Sequence, residues 1–251
     1  MEWQAEATVL HTRPHGETSA IVEVLTEQNG RFAGLVRGGV GRRLRPVLQR
    51  GNRIQASWRA RLSDHLGTMT VEPVHMRAGL ALQNPLHLAA LTALCDMVRI
   101  FPERQSYPKL TQTFETLMDC LDNPDIWPAV FIRFEMAMLD ELGFGLDLRT
   151  CAATGSNDHL THISPRSGRA VSASAAQPYL DQLFPLPPFF LHSSEEITPE
   201  DISAGFAVTG FFLNRRLYAS VDATIPDSRV RMLSLLSRDR ALPNLDIKTH
   251  D

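Results

Sequence analysis

The first 80 residues alternate between apolar and polar positions over short segments, which is typical of β-strands that bury one face. The alternation is clearest at 53–62, where Ile54, Ala56 and Trp58 share one face and the arginines share the other. Asn29-Gly30 predicts a tight hairpin turn between the second and third strands. Five strands are predicted, which is enough for a small barrel: 5–13, 19–26, 31–37, 53–62 and 67–74.

From about residue 80 the apolar positions recur at helical spacing. Asn84-Pro85 and Asn123-Pro124 each place a capping residue before a proline, which favours a helix start. The stripes that follow predict a bundle of three helices, with inward positions Leu88, Leu91, Cys95 and Val98; Leu110, Phe114 and Leu117; and Trp127, Phe131, Phe134, Met138 and Leu142.

The rest of the chain is less regular. Residues 149–197 are predicted to be mostly irregular, two more helices are predicted from Thr198 and from about Pro226, and the chain after Ala241 is predicted to be frayed. The predicted fold class is therefore α+β, with a strand domain at 1–80 and a helical domain at 81–251.

The distribution of charge points to a partner. The chain has a net charge of −3, yet residues 1–80 contain 11 arginines and only 7 acidic residues. An excess of arginine in one region is typical of a protein that binds the sugar-phosphate backbone of a nucleic acid, because a guanidinium group makes bidentate contacts with phosphate. The predicted nucleic-acid surface, which includes a mobile basic loop around 38–46, consists of the nine arginines in a stretch without any acid: Arg31, Arg37, Arg42, Arg43, Arg45, Arg50, Arg53, Arg59 and Arg61.

Neither an enzyme nor a membrane protein is predicted. The glycines at 38–41 lack the Lys-Ser/Thr of a P-loop, and no G-x-S-x-G, H-E-x-x-H or catalytic cysteine signature is present. We therefore predict no catalytic residue and no cofactor. No apolar stretch reaches the roughly 20 residues that cross a membrane, and the N-terminus is polar, so a cytoplasmic protein is expected.

Some side chains allow two interpretations. Phe32 and Trp58 could stack on unpaired bases, but Trp58 falls on the apolar face, which favours core packing. His11 and His15 are predicted to be surface residues. A mixed metal site made of Cys151, Asp158, His159 and His162 can be drawn, but structural zinc requires a C-x-x-C pair and Thr154 takes its second position. A metal-free loop is favoured.

Segments along the whole chain resemble the RecO family of recombination mediators. They occur in the family's order: Glu2-Trp3-Gln4, Val9-Leu10 and Arg13-Pro14-His15-Gly16-Glu17-Thr18-Ser19; Gly34-Leu35-Val36-Arg37-Gly38-Gly39 with Leu44-Arg45-Pro46; Glu141-Leu142-Gly143-Phe144-Gly145-Leu146-Asp147-Leu148 before Cys151; and Ser164-Pro165-Arg166-Ser167-Gly168. The resemblance implies an N-terminal OB-fold barrel, a helical bundle, and a knuckle-like insertion at about 149–175 that holds zinc in some members. That knuckle is degenerate here at Thr154, Ser164 and Ser167, where cysteines would be expected.

The resemblance also implies a function. It implies binding of single- and double-stranded DNA, annealing of complementary strands and, with RecR, loading of RecA on DNA coated by single-strand-binding protein. The acidic, phenylalanine-ended C-terminal tail of that protein would bind the helical domain, where the candidates are Phe211, Phe212, Arg133, Arg215 and Arg216. Three alternatives stay open: a protein-only module that engages an acidic polypeptide, a solvated basic surface, and a nucleotide- or metal-dependent hydrolase.

Overall fold

The computed structural model of the protein describes residues 1–62, 64–192, 196–240 and 242. These residues form two compact units. The first unit contains Met1–Asp122 and Pro226–Met232, and the second contains Asn123–Ile225 and the described residues from Leu233 onward. The end that the sequence predicts to be frayed lies outside the described residues, apart from Leu242.

Five strands of the first unit close into a barrel in the order β1-β2-β3-β5-β4. They are β1 (Glu2–His15), β2 (Ser19–Thr26), β3 (Gly30–Val36), β4 (Arg53–Arg59) and β5 (Thr68–His75). All neighbours are antiparallel except β3 and β5, which are parallel. The five predicted strands are thus all present, although β4 ends at Arg59 rather than at residue 62. Ile54, Ala56 and Trp58 are buried, so the predicted core role of Trp58 is confirmed.

The turn between β2 and β3 depends on Gly30. Its φ of +63° lies in the left-handed region, whereas Asn29 does not take a positive φ. A Cβ atom at Gly30 would also stand 1.8 Å from the carbonyl oxygen of Gln105. The hairpin predicted from Asn29-Gly30 is therefore present, and glycine is required there by both conformation and space.

Three helices follow in the first unit: α1 (Ala78–Ala81), α2 (Pro85–Val98) and α3 (Pro108–Cys120). The side chain of Asn84 accepts hydrogen bonds from the N–H groups of Leu86 and His87, which confirms the predicted start of α2. The inward prediction for Leu88 is wrong, because this side chain is 37% exposed. The inward face of α2 runs through the fully buried Leu94 and Met97 instead.

The second unit is mainly helical. Its helices are α4 (Trp127–Glu141), α5 (Ala173–Ala176), α6 (Pro199–Phe212) and most of α7 (Asp227–Arg240), whose first turns belong to the first unit. Thr198 and Asp201 form a capping box at the start of α6, as the sequence predicts. The helix continues beyond α6 as a π-helical segment, Leu213–Tyr218. The sequence groups α2, α3 and α4 into one bundle, whereas α2 and α3 lie in the first unit and α4 in the second.

The region predicted to be irregular contains a small sheet. Its strands are β6 (Leu160–Ile163), β7 (Ala170–Ser172) and β8 (Phe184–Pro185), in the order β7-β6-β8. Two 3-10 turns, Gln177–Gln182 and Pro188–Phe190, lie on either side of β8. The prediction of an irregular segment is therefore wrong at these three strands. The combination of an N-terminal five-stranded sheet with a helical C-terminal region is confirmed.

We predict that Phe131→Ala lowers the free energy of unfolding by about 3–5 kcal/mol, because the ring is fully buried and truncation leaves a cavity. Phe131 contacts the rings of Trp127, Phe134 and Phe206 at centroid distances of 6.0–6.1 Å. Chemical denaturation measures the change, with the exposed Val221→Ala as control. A Phe131→Ala protein that unfolds like the wild type but loses a binding partner would contradict a core role.

Candidate nucleic-acid interface

Three of the nine arginines in the basic stretch are engaged in ion pairs inside the first unit. Arg31 is the most tightly held of them. Its Nη1 lies 3.2 Å from carboxylate oxygens of both Glu23 and Glu103, and its Nε donates to the carbonyl oxygen of Phe101 at 3.0 Å. Glu23 also accepts two hydrogen bonds from Arg99 of the segment after α2, at 3.0 and 3.2 Å. Burial raises the pKa of Glu23, but Arg99 and Arg31 lower it overall.

Arg50 and Arg53 are also paired. Arg50 lies 2.9 Å from a carboxylate oxygen of Asp96 in α2, and its second terminal nitrogen lies 3.0 Å from Nδ1 of His11. His11 is therefore half-buried beside a cation rather than a simple surface residue. Arg53 is paired with Glu6 of β1 at 2.7 Å and lies 3.7 Å from Glu115 of α3. These three arginines connect the barrel to its own acids and to α2 and α3.

The other six arginines of the stretch are exposed. In the part of the chain that the structure describes, their side chains form no ion pair and no hydrogen bond. They are Arg37, Arg42, Arg43, Arg45, Arg59 and Arg61. The structure therefore separates the predicted set into three arginines with a structural role and six whose charge faces solvent.

The strand register brings three of these exposed arginines, Arg37, Arg59 and Arg61, to the same end of the barrel. Thr68, the first residue of β5, pairs with Arg59 on one side and with Leu35 on the other. Adjacent strands are about 4.8 Å apart, so the ends of β3 and β4 lie only about 10 Å from each other. Arg59 and Arg61 leave the barrel at this end, and Arg37 begins the basic connection there.

The connection between β3 and β4 contains no strand or helix, as predicted for the basic loop, but its second half is anchored. Val47 and Leu48 are buried in the barrel core, and Thr12 donates a hydrogen bond to the carbonyl oxygen of Leu48 at 2.8 Å. The fully buried Asn52 donates to the carbonyl oxygens of Pro46 and Val47 at 2.8 and 3.1 Å. Arg42, Arg43 and Arg45 are thus presented from a supported segment.

A groove of about 490 Å³ separates this connection from β1. Arg45 and Gln49 line the side of the connection, and His11 and Thr12 line the side of β1. The turn between β1 and β2 reaches the connection as well, because the N–H of Val40 donates to the carbonyl oxygen of Thr18 at 3.3 Å. The nearby Arg13 is exposed, and charge counting over 31–61 misses it because it belongs to a different segment.

The candidate protein-partner residues lie in the second unit. Arg215 is exposed, with its guanidinium carbon 5.7 Å from the ring centroid of the half-buried Phe211. Arg216 lies 4.5 Å from the ring of Phe212, which is fully buried and packs in the core. Arg133 lies in α4, where it donates a hydrogen bond to the carbonyl oxygen of Phe189. Burial lowers the pKa of both Arg133 and Arg216.

Arg215 and Arg216 belong to the π-helical segment Leu213–Tyr218, a geometry that is common at functional sites. Arg216 also contacts the knuckle-like insertion: a Cβ at Gly168 would lie 2.8 Å from its Nη1. Its Nη1 lies 3.4 Å from the carbonyl oxygen of Phe144, to which it donates. The insertion therefore supports the base of this arginine pair.

Cys151 forms a small core with Val171 and Ala176. Its sulfur accepts a hydrogen bond from the N–H of Ser172 at 3.3 Å, and the Ser172 hydroxyl and both donors of Thr154 also bond to it. Burial raises the pKa of this thiol, but the four hydrogen bonds outweigh burial and lower it to about 6. Hydrogen-bond donors of Thr154 and Ser172 therefore surround the sulfur.

The other residues drawn for a metal site do not complete one. Asp158 accepts a hydrogen bond from the hydroxyl of Ser156 at 3.2 Å, and His162 lies 2.9 Å from the hydroxyl of Thr161. Across the described ranges, no three His, Cys, Asp or Glu side chains are grouped closely enough to hold a metal ion. The residues present do not fit a zinc knuckle.

No helix among the described residues is long and apolar enough to cross a membrane.

Together, the barrel with its exposed arginines and the helical region define a two-part protein whose exposed cations suit a polyanionic ligand. Comparison with known protein families identifies two domains of one family. Residues 1–77 match the family model of the recombination protein O N-terminal domain, and residues 82–223 match that of its C-terminal domain. The chain therefore belongs to the RecO family of DNA repair and recombination proteins.

Several relatives named DNA repair protein RecO are similar over most of their length. The relative from Caulobacter sp. (strain K31) is 45% identical over 94% of this chain and 98% of its own. The relative from Beijerinckia indica is 47% identical over 93% of this chain and 94% of its own. The relative from Cereibacter sphaeroides (strain ATCC 17023) is 45% identical over 95% of this chain and 100% of its own.

We predict that Cys151 stabilises the fold in a pH-dependent way. The folded pKa of about 6 lies below the ordinary value of 9.0, so this contribution is full above about pH 9 and is lost as the pH falls through about 6. The difference in the free energy of unfolding between wild type and Cys151→Ala should therefore be larger at about pH 8.5 than at about pH 5.5.

Cys95→Ala is the matched control for this measurement, because burial raises the pKa of the Cys95 thiol to about 12. Its stability difference from wild type should not increase over the same pH range. Equal pH profiles for the two variants would show that the hydrogen bonds do not hold Cys151 as a thiolate.

Proposed function

We propose that this RecO-family chain is a non-catalytic DNA-binding mediator. In this proposal it anneals complementary single strands and, with RecR, helps to load RecA on DNA coated by single-strand-binding protein. Membership of a DNA repair family supports the general role. The observation that carries the DNA-binding step is the set of six exposed arginines on the barrel and its connections, since the paired arginines are already neutralised within the protein.

We further infer that the barrel is an OB-fold, a small five-stranded barrel that binds oligonucleotides through a strand face and its loops. The strand order β1-β2-β3-β5-β4 and the match to the N-terminal family model support this assignment. In an OB-fold the connections carry much of the ligand contact. Here the connections after β3 and β4 carry five of the six exposed arginines, which agrees with such a role.

The acidic tail of single-strand-binding protein is proposed to bind at Arg215 and Phe211. Arg215 is exposed and Phe211 only half-buried, so a terminal phenylalanine could pack on the ring while its carboxylate pairs with the guanidinium group. Phe212 and Arg216 would support this pair from beneath, because Phe212 is fully buried. Arg133 is a secondary candidate on account of its half-buried position beside Phe189.

We predict that Arg42→Glu with Arg43→Glu weakens binding to all DNA sequences to a similar extent. Each neutralised phosphate releases counterions, so four to six contacts give a slope of log K against log salt of roughly −3 to −5. Losing two contacts should flatten that slope by about 1.4 to 1.8. Fluorescence anisotropy with labelled oligonucleotides over a salt series measures both effects.

Arg166→Glu with Arg238→Glu is the matched control, because both residues are exposed and the change in net charge is the same. An unaltered slope in a folded Arg42→Glu/Arg43→Glu protein would exclude these residues from the DNA surface.

Annealing of complementary strands coated with single-strand-binding protein, with and without this chain and RecR, tests the mediator step. Binding of an acidic polypeptide but not of naked DNA would favour the protein-only alternative.

We predict that Arg215→Ala weakens binding of a peptide that ends in acidic residues and phenylalanine by about two- to fivefold, as expected for an exposed ion pair. Arg166→Ala, an exposed arginine of the same unit, is the control. Isothermal titration with the peptide gives both affinities. The proposed tail site is wrong if the two variants bind the peptide equally well while a truncated peptide without its phenylalanine does not bind.

A further inference from the structure

The segment that runs from the end of β5 through α1 into α2 has a surface almost without charge. Arg77 is the only arginine, lysine, aspartate or glutamate between residues 73 and 95. Its side chain is buried and is paired with Glu115 and Asp119 of α3, and its Nη1 lies 2.8 Å from a carboxylate oxygen of Glu115. The surface that this segment exposes therefore carries no carboxylate, ammonium or guanidinium group.

Five large apolar side chains of the same segment are exposed, and we call them the apolar patch. Leu80 and Leu82 are 60% and 64% exposed, and the other three are Val74, Met76 and Leu88. Single exposed apolar residues are normal on protein surfaces, but here five lie within 15 residues of chain. Their combined exposed area is roughly 450 Å², the size of the largest patch on an ordinary monomer, which is often functional.

The apolar patch is held in place from beneath. The N–H of Ala78 donates a hydrogen bond to Oδ1 of the fully buried Asn52 at 3.0 Å, and the ion pairs of Arg77 join the start of α1 to α3. A Cβ atom at Gly79 would have no heavy atom within 4 Å, so the space outside α1 is open. A partner would thus meet a preformed surface, and association would cost little ordering of this segment.

The patch begins at the end of the β4–β5 ladder that is opposite to the exposed Arg59. Arg59 pairs with Thr68 at one end of the ladder, and Arg53 pairs with His75, between Val74 and Met76, at the other. β4 has seven residues, so these two ends are about 20 Å apart. A partner bound to the patch therefore leaves the Arg59 end of the ladder accessible.

The area and the lack of charge favour a second copy of this chain as the partner. In a two-fold symmetric interface the same patch meets itself, so a charged patch would repel its copy, whereas the apolar patch brings no like charges together. A homodimer interface of standard size buries about 800 Å² on each partner, of which about 65% is apolar. The patch supplies most of that apolar share. Binding to an anionic membrane would instead require exposed lysines or arginines.

We propose that two copies of this chain associate through the apolar patch to form a symmetric dimer. In this dimer each copy keeps the Arg59 end of its barrel accessible, so that one particle carries two arginine-bearing barrels. The inference goes beyond the proposed function and does not depend on it, because the dimer forms without DNA.

The test is sedimentation equilibrium of the purified chain without DNA, with wild type and Leu80→Glu/Leu82→Glu compared over a concentration series. The wild type should dimerise with a dissociation constant of about 1–20 µM. The variant should raise this constant at least about 100-fold, because apolar contact is lost and like charges face each other across the two-fold axis. Thermal unfolding at a concentration well below the wild-type dissociation constant should be unchanged, since both leucines are exposed.

Leu62→Glu with Leu66→Glu is the matched control, because these leucines are also exposed, belong to the same unit and give the same change in net charge. This control should dimerise like the wild type. A mixture of Leu80→Glu/Leu82→Glu with Leu80→Lys/Leu82→Lys should associate at least about tenfold more tightly than either variant alone, because opposite charges then meet across the axis. The inference is overturned if the wild type stays monomeric at about 100 µM, or if the Leu80/Leu82 variant dimerises like the control.

Two further measurements identify a different occupant of the patch. If the wild type is monomeric and the Leu80/Leu82 variant, but not the control, loses binding to purified RecR, the patch serves another protein and the dimer is excluded. If that variant loses only binding to anionic lipid vesicles, the patch is a membrane contact and the dimer is again excluded. The salt slope of the Arg42→Glu/Arg43→Glu variant tests the proposed DNA surface separately, whatever the state of association.

Discussion

The repulsion among nine guanidinium groups in one acid-free stretch is the constraint on which the first unit is built. The acids that relieve it come from other parts of the chain: Glu6 of β1, Glu23 of β2, Asp96 of α2, Glu103 after α2, and Glu115 of α3. Because these acids lie on both the barrel and the helices, the same ion pairs that lower the repulsion also hold α2 and α3 against the barrel. Most are partly buried, where screening by solvent is weaker than at a fully exposed surface.

This compensation does not extend to the first half of the connection between β3 and β4. Arg37, Arg42 and Arg43 form no ion pair with any described residue and remain exposed. The protein thus uses one residue type in two ways. Arg31, Arg50 and Arg53 are paired because acids of other segments lie within reach, whereas Arg42, Arg43 and Arg59 form no ion pair with any described residue.

Sequence patterns predict the long elements well, because β1 to β5 and the main helices repeat their period over seven residues or more. They fail for β6, β7 and β8, which have four, three and two residues and depend on pairing with one another. Sequence patterns also cannot show that Arg31 is paired while Arg42 is exposed, because one acid that pairs with Arg31 is as distant in sequence as Glu103. The sequence also does not indicate that the guanidinium group of Arg104 covers the ring of Phe32, 4.9 Å from its centroid. Arg104 lies in a short irregular segment, where its φ is +64°, and such a segment has no periodic pattern to read.

In the segment at about 149–175, hydrogen-bond donors surround the sulfur of Cys151. In zinc knuckles the cation stabilises the cysteine sulfurs as thiolates. Around Cys151 the hydroxyl and N–H groups of Thr154 and Ser172 supply that stabilisation, and the turn is closed by the hydrogen bond from Gly155 N–H to the Cys151 carbonyl at 2.9 Å. Gly168 of the same segment lies against Arg216, because a Cβ atom there would lie 2.8 Å from Nη1 of Arg216.

The exposed charge of the barrel consists of arginine without any lysine, since the two lysines of the chain are Lys109 and Lys248. Acetylation, which removes the charge of a lysine, has no acceptor amine on a side chain anywhere in residues 1–80. The common lysine modifications therefore cannot change the charge of this surface. A change in the charge of this surface must instead come from an added anion, such as a phosphate on a nearby hydroxyl or an acidic molecule that covers the arginines.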